Sequence, residues 1–367
     1  MRNAGSTCRV SRSWRRYRLM EFALSEDQRM LQDSLKGVLG EAAHLDRIRK
    51  IAAGETGEGA ALDAALSEFG LSALMVPEAA GGLGLGALDA CLVQEALGYD
   101  VAPSRFLATA VAAKLLAGKP DVLGAIAGGE ATFGLALTEL FSRRDGAGVE
   151  LKGGKLSGKS LLAQSVDGAT HILVADTAGA VHSVAVGKAS VTVMQTIDRT
   201  RTFHEVAFDG AEPLVSVTPE AEAIAFARLL VAADTLGTAQ AMIDKAVAYA
   251  KERQQFGRVI GSFQAVKHMC AEMAAKLEPA RALIWHAAHA LDIGDAEGPM
   301  MATLAKAHLA EVGTFVARTS TEVHGGMGFT DLVGLHYWYK RIGVNRQLLG
   351  SPEQTRQTAA ELQGLVV

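Results

Sequence analysis

Cysteine is scarce in this chain, and the few cysteines are not placed for a bridge or a metal. Cys8, Cys91 and Cys270 form an odd, widely spaced set without a Cys-x-x-Cys pair. This spacing argues against a disulfide framework and against a zinc site. It favours a reducing, cytoplasmic setting.

The sequence also lacks long apolar runs and an excess of basic residues. No uninterrupted apolar stretch approaches the roughly 20 residues that a membrane helix needs. The net charge of -4 gives no reason to expect a nucleic-acid partner, since such binding depends on a basic face. With 367 residues, 49% hydrophobic and 21% charged, the chain has the composition of a globular protein with a sizeable core.

Acidic residues are missing from the first 19 positions, which carry six arginines. The preferred interpretation is that Met20 is the true start and that residues 1–19 are not part of the fold. The alternative is an organelle transit peptide, which would also be rich in arginine and serine.

The hydrophobic period changes twice along the rest of the chain. Residues 20–128 have helical spacing, and Ser25 with Gln28 matches a capping box. Residues 129–215 contain short strand-like pieces separated by glycine turns, which predicts an antiparallel β domain. Residues 216–367 return to helical spacing. The sequence therefore predicts an α+β protein with a helical, a β and a second helical domain.

Four glycines, at positions 81, 82, 84 and 86, lie between two helical segments. Such a loop is either a simple connection between two helices or a place where the backbone approaches another group closely.

The segment "ERQQFGRVIGSFQ", residues 252–264, has two explanations. Locally, Gly257 would cap the preceding helix, Arg253 would favour its C-terminus, and Phe256 would fill the joint. Alternatively, the arginine and the aromatic side chain serve a ligand.

Five segments in order carry a resemblance to the acyl-CoA dehydrogenase family, from about Met20 to the C-terminus. They are "MEFALSEDQRMLQDSLKGVL", "VPEAAGGLGLG", "ALTE", "RQQFGRVIGSFQAVKHMCAEM" and "EVHGGMGFT". The resemblance implies an acyl-CoA dehydrogenase-like fold with a C-terminal four-helix bundle, an acyl-CoA substrate and FAD bound between the β domain and that bundle. It also implies an oligomer, because this family uses the arginine of its RxxFG segment across a subunit boundary.

The resemblance assigns cofactor contacts to particular residues. Arg253 would pair with the FAD pyrophosphate, Gln255 would donate or accept a hydrogen bond, and Phe256 would pack on the cofactor. The full set of FAD-binding residues implied is Thr138, Arg253, Gln255, Phe256, Gln264, Glu322, Gly325, Gly326 and Ser351.

The chain departs from the family pattern at several of these places. Glu322 replaces the usual glutamine, so its carboxylate would repel a pyrophosphate unless it meets a donor. Arg143 and Arg144 replace small residues after Thr138; Arg144 is a candidate for binding CoA phosphate, and a solvated basic turn is the alternative. The tryptophan that shields the flavin in the family is not recognisable.

Three further polar residues are predicted to have no chemical role. Glu95 and Asp89 are interpreted as charges on a solvent or interface helix, and His324 as a loop residue beside the cofactor.

The catalytic base is the largest departure. Removing the α-proton of an acyl-CoA requires a carboxylate. The two positions that carry it in the family are Leu349 and Ala227, the latter before the predicted substrate-binding Arg228. Asp234, seven residues after Ala227 and on the same helical face, is the remaining candidate.

Three hypotheses follow from this pattern. The first is the shorter, base-lacking subunit of a heterotetramer that acts on bulky CoA thioesters such as steroid side chains. The second is a homo-oligomeric enzyme that uses Asp234, and the third is a flavin-binding structural partner without turnover. By the same resemblance, electron-transfer flavoprotein is the expected electron acceptor.

Overall fold

The computed structural model describes residues 23–142 and 144–366. Residues 1–19, Met20 and Arg143 lie outside these described residues. The first unit is helical: α1 (Glu26–Ala42), α2 (Leu45–Ala53), α3 (Thr56–Glu68), α4 (Ala87–Tyr99), α5 (Phe106–Leu115) and α6 (Pro120–Ala127). The predicted capping box is confirmed, because Ser25 accepts from the Gln28 N–H and the Gln28 side chain accepts from the Ser25 N–H.

A twisted sheet follows. Its strands are β1 (Phe133–Ala136), β2 (Gly148–Lys152), β3 (Lys155–Gln164), β4 (His171–Ala175), β5 (Val181–Ala185), β6 (Ala189–Met194), β7 (Phe203–Ala211) and β8 (Val215–Val217). They lie in the order β6-β7-β3-β1-β4-β5-β8, and β2 pairs with β3.

One pair in this sheet differs from the antiparallel prediction. β1 and β4 run parallel, with Phe133 opposite His171. The antiparallel strand β3 returns the chain to the end of the sheet where β1 began, so β4 starts beside β1 and runs in the same direction.

The last unit is again helical, and this order of helices, sheet and helices confirms the predicted fold class. It contains α7 (Ala221–Glu252), α8 (Gln264–Asp292), α9 (Gly298–His324), α10 (Leu335–Asn345) and α11 (Pro352–Leu362). A short hairpin, β9 (Gln254–Gln255) and β10 (Arg258–Val259), separates α7 from α8. None of the described helices is long and apolar enough to cross a membrane. The domain boundaries at residues 128/129 and 215/216 stay predictions.

The glycine-rich loop approaches the chain's own backbone and side chains. A Cβ on Gly82 would lie 2.0 Å from the Val76 carbonyl oxygen, and one on Gly86 would lie 2.7 Å from the Asp292 carboxylate. That carboxylate accepts from the Ala87 N–H at 2.6 Å. The loop therefore seats the N-terminus of α4 on the C-terminal end of α8.

Helices α4 and α7 touch through two more glycines. A Cβ on Gly237 would lie 1.8 Å from the Glu95 carbonyl oxygen, and one on Gly98 would lie 2.2 Å from the Asp234 carbonyl oxygen. Thr238 donates its hydroxyl to the Gly98 carbonyl at 3.1 Å. This backbone contact joins the first helical unit to the last.

Gly237→Ala is expected to lower the free energy of unfolding by about 1–3 kcal/mol or more, because the added methyl group meets backbone that cannot rotate away. The matched control is Gly37→Ala in α1, where a Cβ meets no atom within 4 Å. That change should be neutral or stabilising by about 0.5–1 kcal/mol. Urea unfolding of both variants measures the difference, and equal stabilities would contradict the close helix contact.

Candidate active site

The predicted site residues lie toward the two ends of one long helix. α7 carries Ala227 and Arg228 in its second turn and ends at Glu252, directly before Arg253. At 1.5 Å per residue, the helix from Arg228 to Glu252 covers about 36 Å. We call the two groups the arginine corner (Thr138, Phe141, Arg228 and residues 349–351) and the hairpin end (residues 253–257, Gln264, Glu322, Gly325 and Gly326).

The hairpin end presents an arginine and a phenylalanine to the outside. Arg253 itself caps α7, and Gly257 forms the hairpin turn at φ +76°, so the proposed C-cap role of Gly257 is wrong. Phe256 is 91% exposed and therefore fills no joint. Its φ of +52° is strained for a bulky residue, as is common where a segment serves a partner or ligand.

The neighbouring side chains hold this hairpin in place. Phe263 packs edge-on against Phe256, with ring centroids 6.2 Å apart, and the Arg258 guanidinium lies 4.0 Å from the Phe263 ring centroid. Gln255 is exposed in β9, and Gln264, also exposed, begins α8 with its amide nitrogen 2.8 Å from His268 Nε2. The exposed Arg253 pairs with no carboxylate of the described residues.

The glycine turn after α9 lies at the same end of the bundle. His324 is buried, stacks on Tyr249 of α7 at 4.7 Å between ring centroids, and has its Nδ1 2.7 Å from the Ser320 carbonyl oxygen. Burial lowers the pKa of His324, which favours the neutral ring in a packing role. Open space surrounds Gly325 and Gly326, where a Cβ would meet no atom within 4 Å.

Glu322 lines a cavity of about 490 Å³ beside this turn. Arg318 and Lys340 line the same cavity, together with Phe329 and Tyr339. The Glu322 carboxylate therefore shares this cavity with two cationic side chains, which would offset its repulsion of a phosphate group.

At the arginine corner, Thr138 begins a short 3-10 turn that is held by hydrogen bonds from β3 on one side and from α11 on the other. The buried carboxylate of the next residue, Glu139, accepts from the Ser160 hydroxyl and from the Leu161 N–H at 2.9 Å. Gln354 of α11 donates its amide to the Phe141 carbonyl at 2.6 Å. Ser351 caps α11 by accepting from the Gln354 N–H, and Arg144 lies exposed beyond the turn.

Two buried cations meet at this corner. Arg228, 6% exposed, donates Nε to the Leu349 carbonyl at 3.1 Å, and its guanidinium lies 5.0 Å from the Phe141 ring centroid. Lys306, 1% exposed, donates Nζ to the Gly350 carbonyl at 3.2 Å and the Arg346 carbonyl at 3.3 Å. Burial lowers the pKa of Arg228 to about 10. Burial, with smaller effects from Arg228 and Arg346, lowers the pKa of Lys306 to about 7.

Lys306 should make stability depend on pH in the neutral to alkaline range. Between about pH 7 and the ordinary lysine pKa of 10.5, the unfolded chain binds a proton that the folded chain does not, so the free energy of unfolding rises with pH. We expect this rise to amount to a few kcal/mol, on the order of 1.4 kcal/mol per pH unit, and to be lost in Lys306→Met. Chemical unfolding at pH 7 to 10 measures it. Lys188→Met, at an exposed lysine, is the control, and parallel profiles for both variants would refute the assignment.

Asp234 lies in a buried ion pair with Arg341. It is 1% exposed and accepts two hydrogen bonds from Arg341, from Nη2 at 2.6 Å and from Nε at 2.9 Å. Asn345 and Gln94 donate to the same carboxylate at 2.6 and 2.8 Å. Although burial alone would raise its pKa, Arg341 and the other donors hold the pKa of Asp234 well below its usual range. A carboxylate held this way is a poor general base.

Glu95 is not the solvated charge that the sequence suggested. Its side chain is mostly buried, and its carboxylate pairs with Arg281 of α8. Burial raises the pKa of Glu95, and the Arg281 charge opposes this rise. Asp89 likewise has a partner, because its carboxylate accepts from the Gly86 N–H at 3.0 Å and from the Gln28 amide at 3.1 Å.

Sequence reasoning missed Lys306 and Arg341. Each lies inside an ordinary helical pattern, and no local motif marks either residue. A cation at a buried position of a predicted amphipathic helix was the available signal.

Comparison with known proteins supports the family assignment. The model of the acyl-CoA dehydrogenase N-terminal domain matches residues 25–120, and that of the acyl-CoA dehydrogenase C-terminal domain matches residues 220–363. Acyl-CoA dehydrogenase IpdE2 of Mycobacterium tuberculosis is 31% identical over 335 residues, which cover 90% of this chain and 95% of IpdE2. IpdE2 of Mycolicibacterium smegmatis is 30% identical, with 92% of this chain and 100% of that protein covered.

Two solved structures have a fold similar to that of this chain. A variant of the Tcur3481–Tcur3483 steroid ACAD has a TM-score of 0.83 and 28% identity, and the match covers 93% of this chain and 98% of that one. The ChsE4–ChsE5 complex of Mycobacterium tuberculosis has a TM-score of 0.82 at 23% identity, covers 95% of this chain and 100% of the matched chain, and shows the shared fold. The chain therefore belongs to the acyl-CoA dehydrogenase family of FAD-dependent oxidoreductases that act on CH–CH groups.

Proposed function

We propose that this chain is the base-lacking subunit of a heteromeric acyl-CoA dehydrogenase that acts on bulky CoA thioesters of the steroid type. The chain supplies its hairpin end to a flavin that a partner chain also binds, and the partner supplies the catalytic carboxylate. The similarity to the Tcur3481–Tcur3483 steroid ACAD supports both the heteromeric assembly and the substrate class.

The observation that carries this proposal is the lack of a usable carboxylate at the arginine corner. Leu349 and Ala227 are buried and apolar, and no acidic side chain of the described residues lines the cavity in front of Arg228. The Glu139 carboxylate already accepts hydrogen bonds from Ser160 and Leu161, and the Asp234 carboxylate accepts two from Arg341. This arrangement disfavours the homo-oligomeric alternative with Asp234 as the base.

The hairpin end fits part of a dinucleotide cofactor. Arg253 offers an exposed guanidinium without a carboxylate partner among the described residues, Phe256 offers an exposed aromatic face, and the open backbone at Gly325 and Gly326 allows close approach. Because these residues lie about 36 Å along α7 from Arg228, they fit a cofactor whose flavin ring is held by another chain. We therefore propose that Arg253, Gln255, Phe256, Gln264, Glu322, Gly325 and Gly326 contact FAD across a subunit boundary.

The residues of the arginine corner do not reproduce a complete flavin-ring site. Thr138 offers a hydroxyl, but Leu161 and its neighbours in β3 provide no tryptophan shield. When bound, FAD accepts the β-hydride of the acyl-CoA. In the proposed enzyme the partner's carboxylate removes the α-proton, and this chain positions and encloses the cofactor. Contacts of Thr138 and Ser351 with flavin, and of Arg228 and Arg144 with acyl-CoA, stay proposals, as does electron-transfer flavoprotein as acceptor.

The proposal is tested by purifying the chain alone and together with a co-expressed dehydrogenase-like chain. The complex should lose its flavin absorbance rapidly on addition of acyl-CoA, whereas flavin bound to the chain alone should be reduced only slowly. A flavin-containing complex that acyl-CoA does not reduce would instead support a structural partner without turnover.

Arg253→Ala should weaken flavin retention by the complex. Removing one charge-assisted hydrogen bond to pyrophosphate costs about 1.5–3 kcal/mol, or roughly one to two decades in affinity. Flavin content after gel filtration, measured by absorbance, reports the loss. Arg29→Ala in α1, which removes another exposed arginine, is the matched control. Equal flavin content in the two arginine variants would count against the hairpin end.

A further inference from the structure

Three polar side chains of the sheet form a hydrogen-bonded chain that the proposed function does not use. Asp176 follows β4, His182 lies in β5 and Ser216 lies in β8. The Asp176 Oδ2 atom is 3.0 Å from His182 Nε2, and the Ser216 hydroxyl oxygen is 2.8 Å from His182 Nδ1. None of the three residues belongs to the arginine corner or the hairpin end. A carboxylate, an imidazole and a hydroxyl linked in this order are the parts of an activated serine nucleophile.

The strand register places the three side chains on one face of the sheet. His182 lies directly opposite Ser216 of β8 and opposite Val174 of β4, and Asp176 follows Val174 by two residues. The Asp176 Oδ1 atom also accepts two backbone N–H groups of the turn between β4 and β5, both at 2.9 Å. The imidazole is therefore held between a fixed carboxylate and the serine hydroxyl.

Burial and hydrogen bonding set the protonation of this group. Asp176 is 6% exposed and His182 is 1% exposed. Although burial alone would raise the pKa of Asp176, hydrogen bonds from His182 and from the Ala180 and Ala178 N–H groups lower it. A neutral imidazole that donates its Nε2 proton to this carboxylate has a lone pair on Nδ1, which accepts from the Ser216 hydroxyl. Nδ1 is thus placed to take the hydroxyl proton.

The backbone of Ser216 adds a donor for a negatively charged oxygen. β8 lies at one end of the sheet and pairs only with β5. The Asp176 N–H donates to the Ala180 carbonyl at 2.8 Å, so the alternate, hydrogen-bonded pairs of β4 and β5 include Val174 with His182. His182 therefore turns its N–H and carbonyl away from β8, and Ser216 opposite it turns its N–H toward the open edge. Because Ser216 is exposed, an acyl group at its hydroxyl can reach this N–H.

We propose that Ser216 is a nucleophile that hydrolyses small carboxylic esters, with His182 as its base and Asp176 as the residue that positions the imidazole. Oγ attacks the ester carbonyl carbon while its proton passes to Nδ1, and the Ser216 N–H donates to the carbonyl oxygen as that oxygen gains negative charge. The bond from the carbonyl carbon to the alcohol oxygen then breaks, and the alcohol leaves with the proton from Nδ1.

Water completes the reaction. It attacks the carbonyl carbon of the acyl-serine and gives a proton to Nδ1, the carboxylic acid leaves, and the proton returns to Oγ. The exposed position of Ser216 suits short acyl groups without strong selection among them. Neither flavin nor a partner chain takes part, so this proposal and the dehydrogenase proposal stand or fail separately.

The test measures hydrolysis of p-nitrophenyl acetate by the purified full chain. We expect steady release of p-nitrophenolate and, after an acid quench, an acetyl group on the peptide that contains Ser216. Ser216→Ala should lower the rate of hydrolysis about 100-fold, the lower end of what a positioned base supplies. Ser190→Ala is the matched control, because Ser190 is an exposed serine of the other edge strand, β6, and lies opposite Ala207 rather than a histidine.

A second variant separates catalysis from a structural hydrogen bond. Asp176→Asn should lower kcat about tenfold or more with KM little changed, because an amide no longer fixes the proton on Nε2. Circular dichroism shows whether this variant folds; if it does not, the exposed Ser216 and Ser190 variants decide alone. Equal rates in those two serine variants, acetylation confined to other residues, or no hydrolysis above that of buffer would overturn the proposal and leave the three side chains a structural network.

Discussion

Arg341→Met is expected to lower the free energy of unfolding by about 3–5 kcal/mol, because it leaves the Asp234 carboxylate buried without its ionic partner. Arg341 donates two of the hydrogen bonds that Asp234 accepts, and both side chains are almost fully buried. The same arginine donates to the Ala102 carbonyl at 3.2 Å, so its loss also removes a hydrogen bond to the segment that follows α4. Urea unfolding at neutral pH measures the change.

Asp234→Asn tests whether this carboxylate is structural or catalytic. A structural role predicts a loss of stability of similar size, with activity per folded complex unchanged. The matched control is Asp198→Asn, which removes another buried carboxylate, one paired with Arg201, from the same region. Loss of flavin reduction in a fully folded Asp234→Asn complex, with Asp198→Asn active, would restore Asp234 as the base.

The sign of the pH dependence follows from the same pair. Arg341 keeps the pKa of Asp234 in the folded chain below the ordinary aspartate value of 3.8, so the stabilisation is fully present above that value. It is lost as the pH falls below about 4. The midpoint of acid unfolding should therefore lie at a higher pH in Arg341→Met than in the parent.

Local patterns in the sequence predicted the fold well. The capping box at Ser25 and Gln28 depends on residues three positions apart, and the change from helical to strand period depends on adjacent residues. The motifs at Arg253 and Gly325 are also local, and the structure brings them to one end of the bundle through the contact of Tyr249 with His324. Short-range signals of this kind can be read from a single sequence.

Long-range ion pairs were not predictable in the same way. Asp234 and Arg341 lie on different helices, as do Glu95 and Arg281, and nothing near any of them in the sequence identifies the partner. The helical face of Asp234 made this residue a candidate base, but spacing alone does not report that Arg341 packs against its carboxylate. Likewise, the parallel pairing of β1 and β4 depends on where β3 returns the chain, which strand period does not encode.

The geometry of α7 links the candidate site to assembly. Its early turns carry Arg228 and Asp234, which are buried among α9, α10 and the segment after α10. Its last residue leads into the exposed hairpin with Phe256. One helix therefore connects a buried corner, where Leu349 and Ala227 are apolar, to an exposed hairpin, and the proposed heteromer would use both features.

Co-expression with a partner chain that carries the family's glutamate should raise the rate of flavin reduction by acyl-CoA about 100- to 10,000-fold over this chain alone. That is the range that a positioned general base supplies, and Leu349 and Ala227 cannot provide it. Stopped-flow measurement of flavin bleaching, normalised to flavin content, gives the rate for each preparation.

Two variants locate the source of the activity within that complex. Replacing the partner's glutamate with glutamine should abolish the gain, because the amide accepts no proton at neutral pH. Asp234→Asn in this chain should preserve the gain as long as the complex stays folded, because Arg341 and Asn345 already occupy that carboxylate. Rapid reduction by this chain alone, lost in Asp234→Asn, would show that the carboxylate leaves its ion pair during turnover, and the base-lacking role would then be wrong.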